Sequence, residues 1–408
     1  MPERTLGTCV AQNSHLAIPA VYDVIMRTFR STVRVSGTDV GEKEVSAVSK
    51  VFSKGYLGMG AEVIRFENEL AEMFGRPVAC VSTGTAALQL ALQSAGVGPG
   101  AEVLVPSLTY VAGFQAISAT GATPVSVDVL QGTLTMDPKD ARNKVSAATR
   151  AIMPVYYGGG IARMGEIYEL ARLFSLRVIE DAAHAFGSFV DGSLVGSKGD
   201  IVCFSFDPIK NMTSGEGGCV VTSDSEVLET IKDLRLLGVR GDSVARASER
   251  RLYEFDVQNQ GWRYHMNNVN AAIGLAQLSD FNKKSLIRQK LAQIYNSMFA
   301  EETSITPLPY NYEEVVPHIY VIRLQSKEIR DTVRGKLRED LNVETALHWF
   351  PNHFLSKYKN PGVSLPTTES EFEKMLTIPL HTKLGASTVT RIASFIIEAV
   401  RGVNQGVK

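Results

Sequence analysis

The chain lacks much of what marks several large protein classes. Its four cysteines, Cys9, Cys80, Cys203 and Cys219, are scattered across 408 residues. Their spacing fits neither a metal site nor a disulfide framework. They read as small buried residues of a reducing compartment, so a cytoplasmic location is expected. Net charge is almost absent: 42 Lys and Arg against 43 Asp and Glu leave −1. That balance supplies no field for nucleic acid or an anionic membrane, and neither is expected as a partner. No apolar run approaches the roughly 20 residues of a membrane helix. The N-terminal stretch lacks the charged-then-apolar order of an export signal. Internal repeats and low-complexity tracts are missing too. His348 and His353 lie close in sequence, but no third ligand stands at a suitable spacing, so no metal site is expected.

What remains is ordinary globular material, 44% hydrophobic and 21% charged, long enough for two or three packed units. Residues 1–34 are weakly patterned and read as an N-terminal extension, with apolar positions over 21–29 suited to one short helix. Over 35–284 a large domain is expected. Its start is helical (41–52), followed by the glycine-punctuated loop Gly55-Tyr56-Leu57-Gly58-Met59-Gly60 and an amphipathic helix (62–74). That loop suits either plain connection or close approach to a ligand. Short apolar strands at 78–82, 103–106, 125–129, 149–155, 178–181 and 201–206 then alternate with helices, among them 86–94 and 164–174. The alternation predicts an α/β fold with a mainly parallel or mixed sheet and helices on both faces. A helix over 227–237 follows, then a polar, arginine-bearing loop to 260 that includes Arg240, and helices over 268–278 and 283–299. The pattern changes over 285–408. Strands at 318–324 and 343–348 mix there with helices at 327–341, 370–376 and 387–401, as in a smaller α+β domain.

Residues 178–223 organise the rest. An apolar strand ends in Glu180-Asp181, and a small-residue turn with His184 follows. A second strand leads to Ser205, and a lone Lys210 then sits in a polar, glycine-rich loop. An acid at one strand end and a lysine past the next can both face the carboxyl edge of a sheet, where open α/β folds bind ligands. A lysine able to form a Schiff base, with an acid to hold a pyridinium nitrogen, is the pair that pyridoxal phosphate chemistry requires. Strand 78–82, the turn Thr83-Gly84-Thr85 and the helix after it form an anion site by construction, with free N–H groups facing a phosphate. Tyr110, after the next strand, is either a half-buried core aromatic or a ring stacked on a planar ligand.

The order and spacing of these motifs resemble the DegT/DnrJ/EryC1/StrS aminotransferases, of the aspartate-aminotransferase-like fold type I, from about residue 41 onward. The matching runs are Thr83-Gly84-Thr85-Ala86-Ala87-Leu88, Pro106-Ser107-Leu108-Thr109-Tyr110, Glu180-Asp181-Ala182-Ala183-His184, Phe204-Ser205-Phe206 through Lys210-Asn211, Gly215-Glu216-Gly217-Gly218 and Ala271-Ala272-Ile273-Gly274-Leu275. The resemblance implies pyridoxal 5′-phosphate as cofactor, with Lys210 as the catalytic amine that carries it. Asp181 would hold the pyridine nitrogen and His184 the ring oxygen. Gly84, Thr85 and Ser205 would hold the phosphate, and Tyr110 would cover the ring. The family loop at 261–267 reaches a neighbouring subunit's phosphate, which implies a homodimer with shared sites and a role for Arg263. Family members often carry asparagine and arginine where this chain has Arg263 and His265. The implied reaction passes an amino group, usually from glutamate, to a nucleotide-diphosphate-linked keto sugar, often 6-deoxy, at carbon 3 or 4. Such a product would serve surface polysaccharide or natural-product sugar biosynthesis. Tyr56, Arg240 and His348, beside Trp349, are candidate sugar contacts. For the two histidines a merely polar rim is the other reading. A dehydratase subgroup typically carries histidine where this chain has Lys210. An aminocyclitol ketone acceptor and a non-catalytic cofactor-binding regulator remain alternatives.

Overall fold

The structure is a computed structural model, and it describes residues 28–247, 250 and 252–406. Two sheets organise it. The larger has seven strands in the order β1-β9-β8-β5-β4-β2-β3. Its strands are β1 (Val78–Val81), β2 (Glu102–Pro106), β3 (Thr123–Val127), β4 (Thr149–Ile152), β5 (Arg177–Asp181), β8 (Ile201–Ser205) and β9 (Gly218–Thr222), while β6 (Phe189–Val190) and β7 (Ser193–Leu194) form a small separate hairpin. β3, β2, β4, β5 and β8 pair in parallel, while β9 runs antiparallel to both β8 and β1. The expected α/β architecture is therefore present, with one reversed strand that the sequence reading did not separate. β5, β8 and β9 read as near-continuous apolar runs because helices cover both faces, and their residues are buried almost without exception.

Two features of this sheet bear on function. First, α3 (Gly84–Ser94) starts two residues after β1. Its N-cap Thr83 accepts a hydrogen bond from Ala86 N–H at 3.0 Å, which fixes where the helix begins. Second, α2 (Ala61–Phe74) is tied to the sheet by a buried ion pair. Glu67 accepts from Cys80 N–H at 2.8 Å and from Arg235 Nη1 at 2.5 Å, and Arg235 also donates to the Cys80 carbonyl. Buried charges persist only where they are paired and hydrogen-bonded in this way.

The smaller sheet, β10-β11-β12 (Ile305–Pro307, Tyr320–Leu324, Met375–Ile378), is antiparallel. It shares a buried core with α10 (Phe281–Phe299), α11 (Lys327–Glu339) and α13 (Ala386–Gly406). The N-terminal end of α10 belongs elsewhere: Phe281 packs with Phe186 and Phe206 against the large sheet. Phe29 and Val33 lie against the small-sheet core, and Val33 bridges Val343. The helix expected over 21–29 falls outside the described residues except at its end. The strand expected over 343–348 makes only isolated bridges, Val33 with Val343 and Ala346 with Thr377. The helix expected over 370–376 is instead α12 (Pro366–Lys374), and its last two expected residues open β12. Pairing with β11 overrides helical continuation there, with no glycine or proline to announce it. Among the described residues no helix is long and apolar enough to cross a membrane.

Candidate active site

β1, β2, β5 and β8 all point their carboxyl ends at one cleft of about 360 Å³. Each end delivers a short polar segment. β1 leads to Thr83, Gly84 and Thr85, β2 to Thr109 and Tyr110, β5 to Asp181, Ala183 and His184, and β8 to Ser205, Asp207 and Lys210. All of these line the cleft. The C-terminal part adds His318, His348 and Trp349. So Lys210, Asp181, His184, Ser205, Gly84, Thr85, Tyr110 and His348, each singled out from sequence, converge on one place.

Burial sets the electrostatics. The Lys210 ammonium is pushed down from 10.5 to about 8, chiefly by desolvation, with Asp181 and Asp207 pulling the other way. Desolvation raises the Asp181 carboxyl above its usual range, against the Ala183 N–H (3.1 Å) and the charge of Lys210. The two charges attract, yet for each the loss of water outweighs the attraction. His184 and His318 pack against each other, with ring centroids 4.2 Å apart and planes tilted by 51°. Burial drives both well below 6.5, with Lys210 adding repulsion, so both rings are neutral. Nδ1 of each is buried without a partner, which favours the tautomer that carries the proton on Nε2. His348, pushed down to about 4 by burial, meets Thr377 Oγ1 through Nδ1 at 2.9 Å. Trp349 touches His184 and His348, with centroids 4.9 and 5.0 Å apart.

This lining fits pyridoxal phosphate on three counts. Asp181 is a buried carboxylate in no salt bridge among the described residues, an arrangement that calls for a cation such as a pyridinium. The α3 start leaves the Gly84 and Thr85 N–H groups without acceptors in their own helix and has no acidic residue in its first turn, so it suits a phosphate. Gly84 is required there: a Cβ would fall 2.7 Å from that of Ser205 and close the gap between the helix and the serine hydroxyl. Third, His184 and His318 line the cleft as neutral imidazoles, each with a hydrogen-bonding nitrogen and no charge.

Three sequence candidates lie elsewhere. Arg263 is exposed and bridges Leu236 through its backbone. Tyr56 packs on Gly58 and Gly60 beside Asn268. Arg240 lines a separate surface groove with Glu226, Glu229 and Asp233. Conversely, the sequence reading passed over His318, Thr109 and Glu216 as site residues. His318 sat unremarked at the head of an expected strand, whereas Glu216 lay within the flagged glycine-rich run. A larger groove of about 590 Å³ opens beside Glu180 on the opposite face of β5. Its carboxylate is already engaged by the Tyr156 and Tyr168 hydroxyls, which marks a packing network.

A family model described as the DegT/DnrJ/EryC1/StrS aminotransferase family matches residues 38–397. The spore coat polysaccharide biosynthesis protein SpsC of Bacillus subtilis is 32% identical over 376 residues, 90% of this chain and 96% of that protein. Among solved structures, Spr1654 from Streptococcus pneumoniae in its PMP form superposes with a TM-score of 0.84 at 28% identity, covering 92% of this chain and 100% of that one. The aminotransferase TlmJ from Streptoalloteichus hindustanus gives 0.84 at 32% identity, over 91% of this chain and 100% of that one.

The depressed Lys210 value has a direct consequence, because only the neutral amine attacks an aldehyde. In cofactor-free protein, the rate of Lys210 modification by an aldehyde under reducing conditions should climb with pH and level off above about 8. A rate still climbing beyond pH 10, as for an ordinary lysine near 10.4, would contradict the burial described here.

Proposed function

The chain belongs to the DegT/DnrJ/EryC1/StrS aminotransferase family and is a pyridoxal phosphate-dependent sugar aminotransferase; from that premise we propose that the cleft around Lys210 and Asp181 is its cofactor site and that its acceptor is a keto sugar carried on a nucleoside diphosphate. One observation carries the site assignment: a half-buried, largely desolvated amine and a buried, unpaired carboxylate line the same cleft as a free helix start.

When bound, pyridoxal phosphate supplies the electron sink that lets the donor's α-carbon lose a proton. The residues of this chain do the rest. The anionic Asp181 carboxylate, in low dielectric, keeps the ring nitrogen protonated. Lys210 Nζ, with its affinity for a proton lowered, takes the proton from the donor carbon and delivers it on the cofactor side. His184 offers Nε2–H to the ring oxygen, and its neutrality means that it polarises without adding charge. Tyr110 covers one ring face. The Gly84 and Thr85 N–H groups and Ser205 Oγ hold the phosphate. The donor, proposed to be glutamate, would leave as its 2-oxo acid, its new oxygen coming from water and its nitrogen staying with the cofactor until it passes to the acceptor. Repetition of the proton transfers in reverse turns the sugar ketone into an amine, at carbon 3 or 4, and its oxygen departs as water.

Charge supports a shared site. The cleft is lined by three carboxylates, Asp181, Asp207 and Glu216, against one ammonium, Lys210. A phosphate adds further negative charge, and among the described residues no arginine lines the cleft. Arg263, exposed and not among the residues lining its own cleft, is the residue we assign to the phosphate of a second copy. A homodimer follows from that assignment, and half-buried Tyr56 and exposed Arg240, both outside the cleft lining of their own chain, are proposed to meet the sugar nucleotide.

Two measurements check these readings. A panel of keto-sugar nucleotides and aminocyclitol ketones, incubated with nitrogen-labelled glutamate, should yield a labelled amino sugar. A deoxygenated product, or labelling of the cyclitol alone, would overturn the acceptor assignment. Sedimentation equilibrium of the cofactor-loaded protein should give twice the 44.4 kDa chain mass, whereas a loaded monomer would sink the shared site.

A further inference from the structure

Asn352 makes contacts that no role above explains. Its side chain is fully buried. The amide nitrogen donates to the carbonyls of Ser107 (3.0 Å) and Thr109 (2.8 Å), and the backbone N–H donates to the Ser107 carbonyl as well (2.9 Å). His353 extends the seam: its N–H donates to Ser107 Oγ at 3.0 Å, and that hydroxyl lies 2.7 Å from His353 Nδ1. Residues 352–353, from the C-terminal part of the chain, are thus stitched to residues 107–109, just past the end of β2.

The chemistry requires an amide. Ser107 and Thr109 lie beyond the β2 ladder yet are almost fully buried, so their carbonyls need donors from elsewhere. A primary amide has two N–H groups in one plane and can reach carbonyls two residues apart. The opposite orientation would set oxygen against oxygen, so the two carbonyls fix the amide, and Oδ1 is left as a buried acceptor without a partner. A leucine would leave the Thr109 carbonyl unmet and the Ser107 carbonyl with the residue-352 backbone N–H alone, and a carboxylate would face both with charge.

Each stitched segment carries one aromatic ring at the cleft. Tyr110 directly follows Thr109, and Trp349 lies three residues before Asn352. Their centroids are 6.0 Å apart with planes tilted by 47°. Trp349 leans further on His184 and stands edge-on to Tyr157. Tyr110 is 56% exposed, and its hydroxyl makes no hydrogen bond among the described residues. The orientation of that ring depends on the backbone beneath it. We propose that Asn352 is a positioning residue. By clasping residues 107–109 to 352–353 it sets Tyr110 and Trp349 as a fixed pair over the cleft, and so governs how the cofactor ring and the sugar acceptor are held. This rests on the cofactor site assigned above.

The test compares Asn352→Leu with the unaltered holoenzyme. Borohydride trapping on Lys210, followed by peptide mass spectrometry, first measures cofactor loading. Absent trapping in the unaltered protein would be a failure of the cofactor site, separate from this proposal. With loading established, Asn352→Leu should still trap cofactor. Its cofactor-band circular dichroism, per mole trapped, should change in sign or amplitude, and kcat/KM for the acceptor should fall about ten- to hundredfold, as for misplaced reacting groups. A merely structural role would lower the melting temperature and leave both readouts unchanged, which would overturn the proposal. If Asn352→Leu does not fold, Ser107→Ala decides. It removes only the hydroxyl stitches to His353 and should shift both readouts in the same direction by less, while unchanged dichroism and kcat/KM would overturn the proposal.

Discussion

The structure turns on a half-buried lysine and a buried aspartate at the same sheet edge. Either charge alone would be costly away from water. Together they only partly compensate, since burial still lowers Lys210 and raises Asp181 despite their attraction. The cleft is therefore poised for a change: Asp181 gains from a permanent cation beside it, and Lys210 gains from becoming neutral. Covalent attachment of a pyridinium-bearing aldehyde would satisfy both groups at once. The same imbalance leaves Lys210 able to serve as a base near neutral pH.

The large sheet makes that juxtaposition possible. Parallel β5 and β8 are neighbours, so the residue ending one and the loop leaving the other emerge side by side. The reversed β9 returns the chain between β8 and β1 and brings Gly218 opposite both Ser205 and Val81. Only glycine fits there, because a Cβ would meet the Phe204 and Thr83 carbonyl oxygens at 2.7 Å. That close approach holds the α3 start against Ser205. The C-terminal part then closes the cleft with neutral, aromatic material, His318, His348 and Trp349, which excludes water without adding charge.

Much of this could be read from the sequence, and the reasons are local. Asp181, Ser205 and Lys210 lie within a few residues of strands whose apolar runs are unmistakable, and the turn at Thr83-Gly84-Thr85 announces a helix start. Tyr110 looked ambiguous until its company was known, and the structure sets it, half-exposed, at the cleft. Residues that reach the site from far along the chain were harder to see. Nothing local marks His318, and Asn352 gains meaning only because residues 107–109 end a strand more than two hundred positions away. β9 hides behind its glycines and β12 behind an uninterrupted helix end, since each is specified by its strand partners. Arg263, Tyr56 and Arg240 do not line this cleft, and nothing local in the sequence distinguishes them from residues that do.

The most direct test of the Lys210–Asp181 account is borohydride reduction of the pyridoxal phosphate-loaded protein, with the modified peptide mapped by mass spectrometry. The cofactor should be found on Lys210 in unaltered protein, and Asp181→Asn should retain that attachment while losing roughly a hundredfold or more in transamination rate. Attachment at another lysine, or an Asp181→Asn variant that turns over at the unaltered rate, would contradict it.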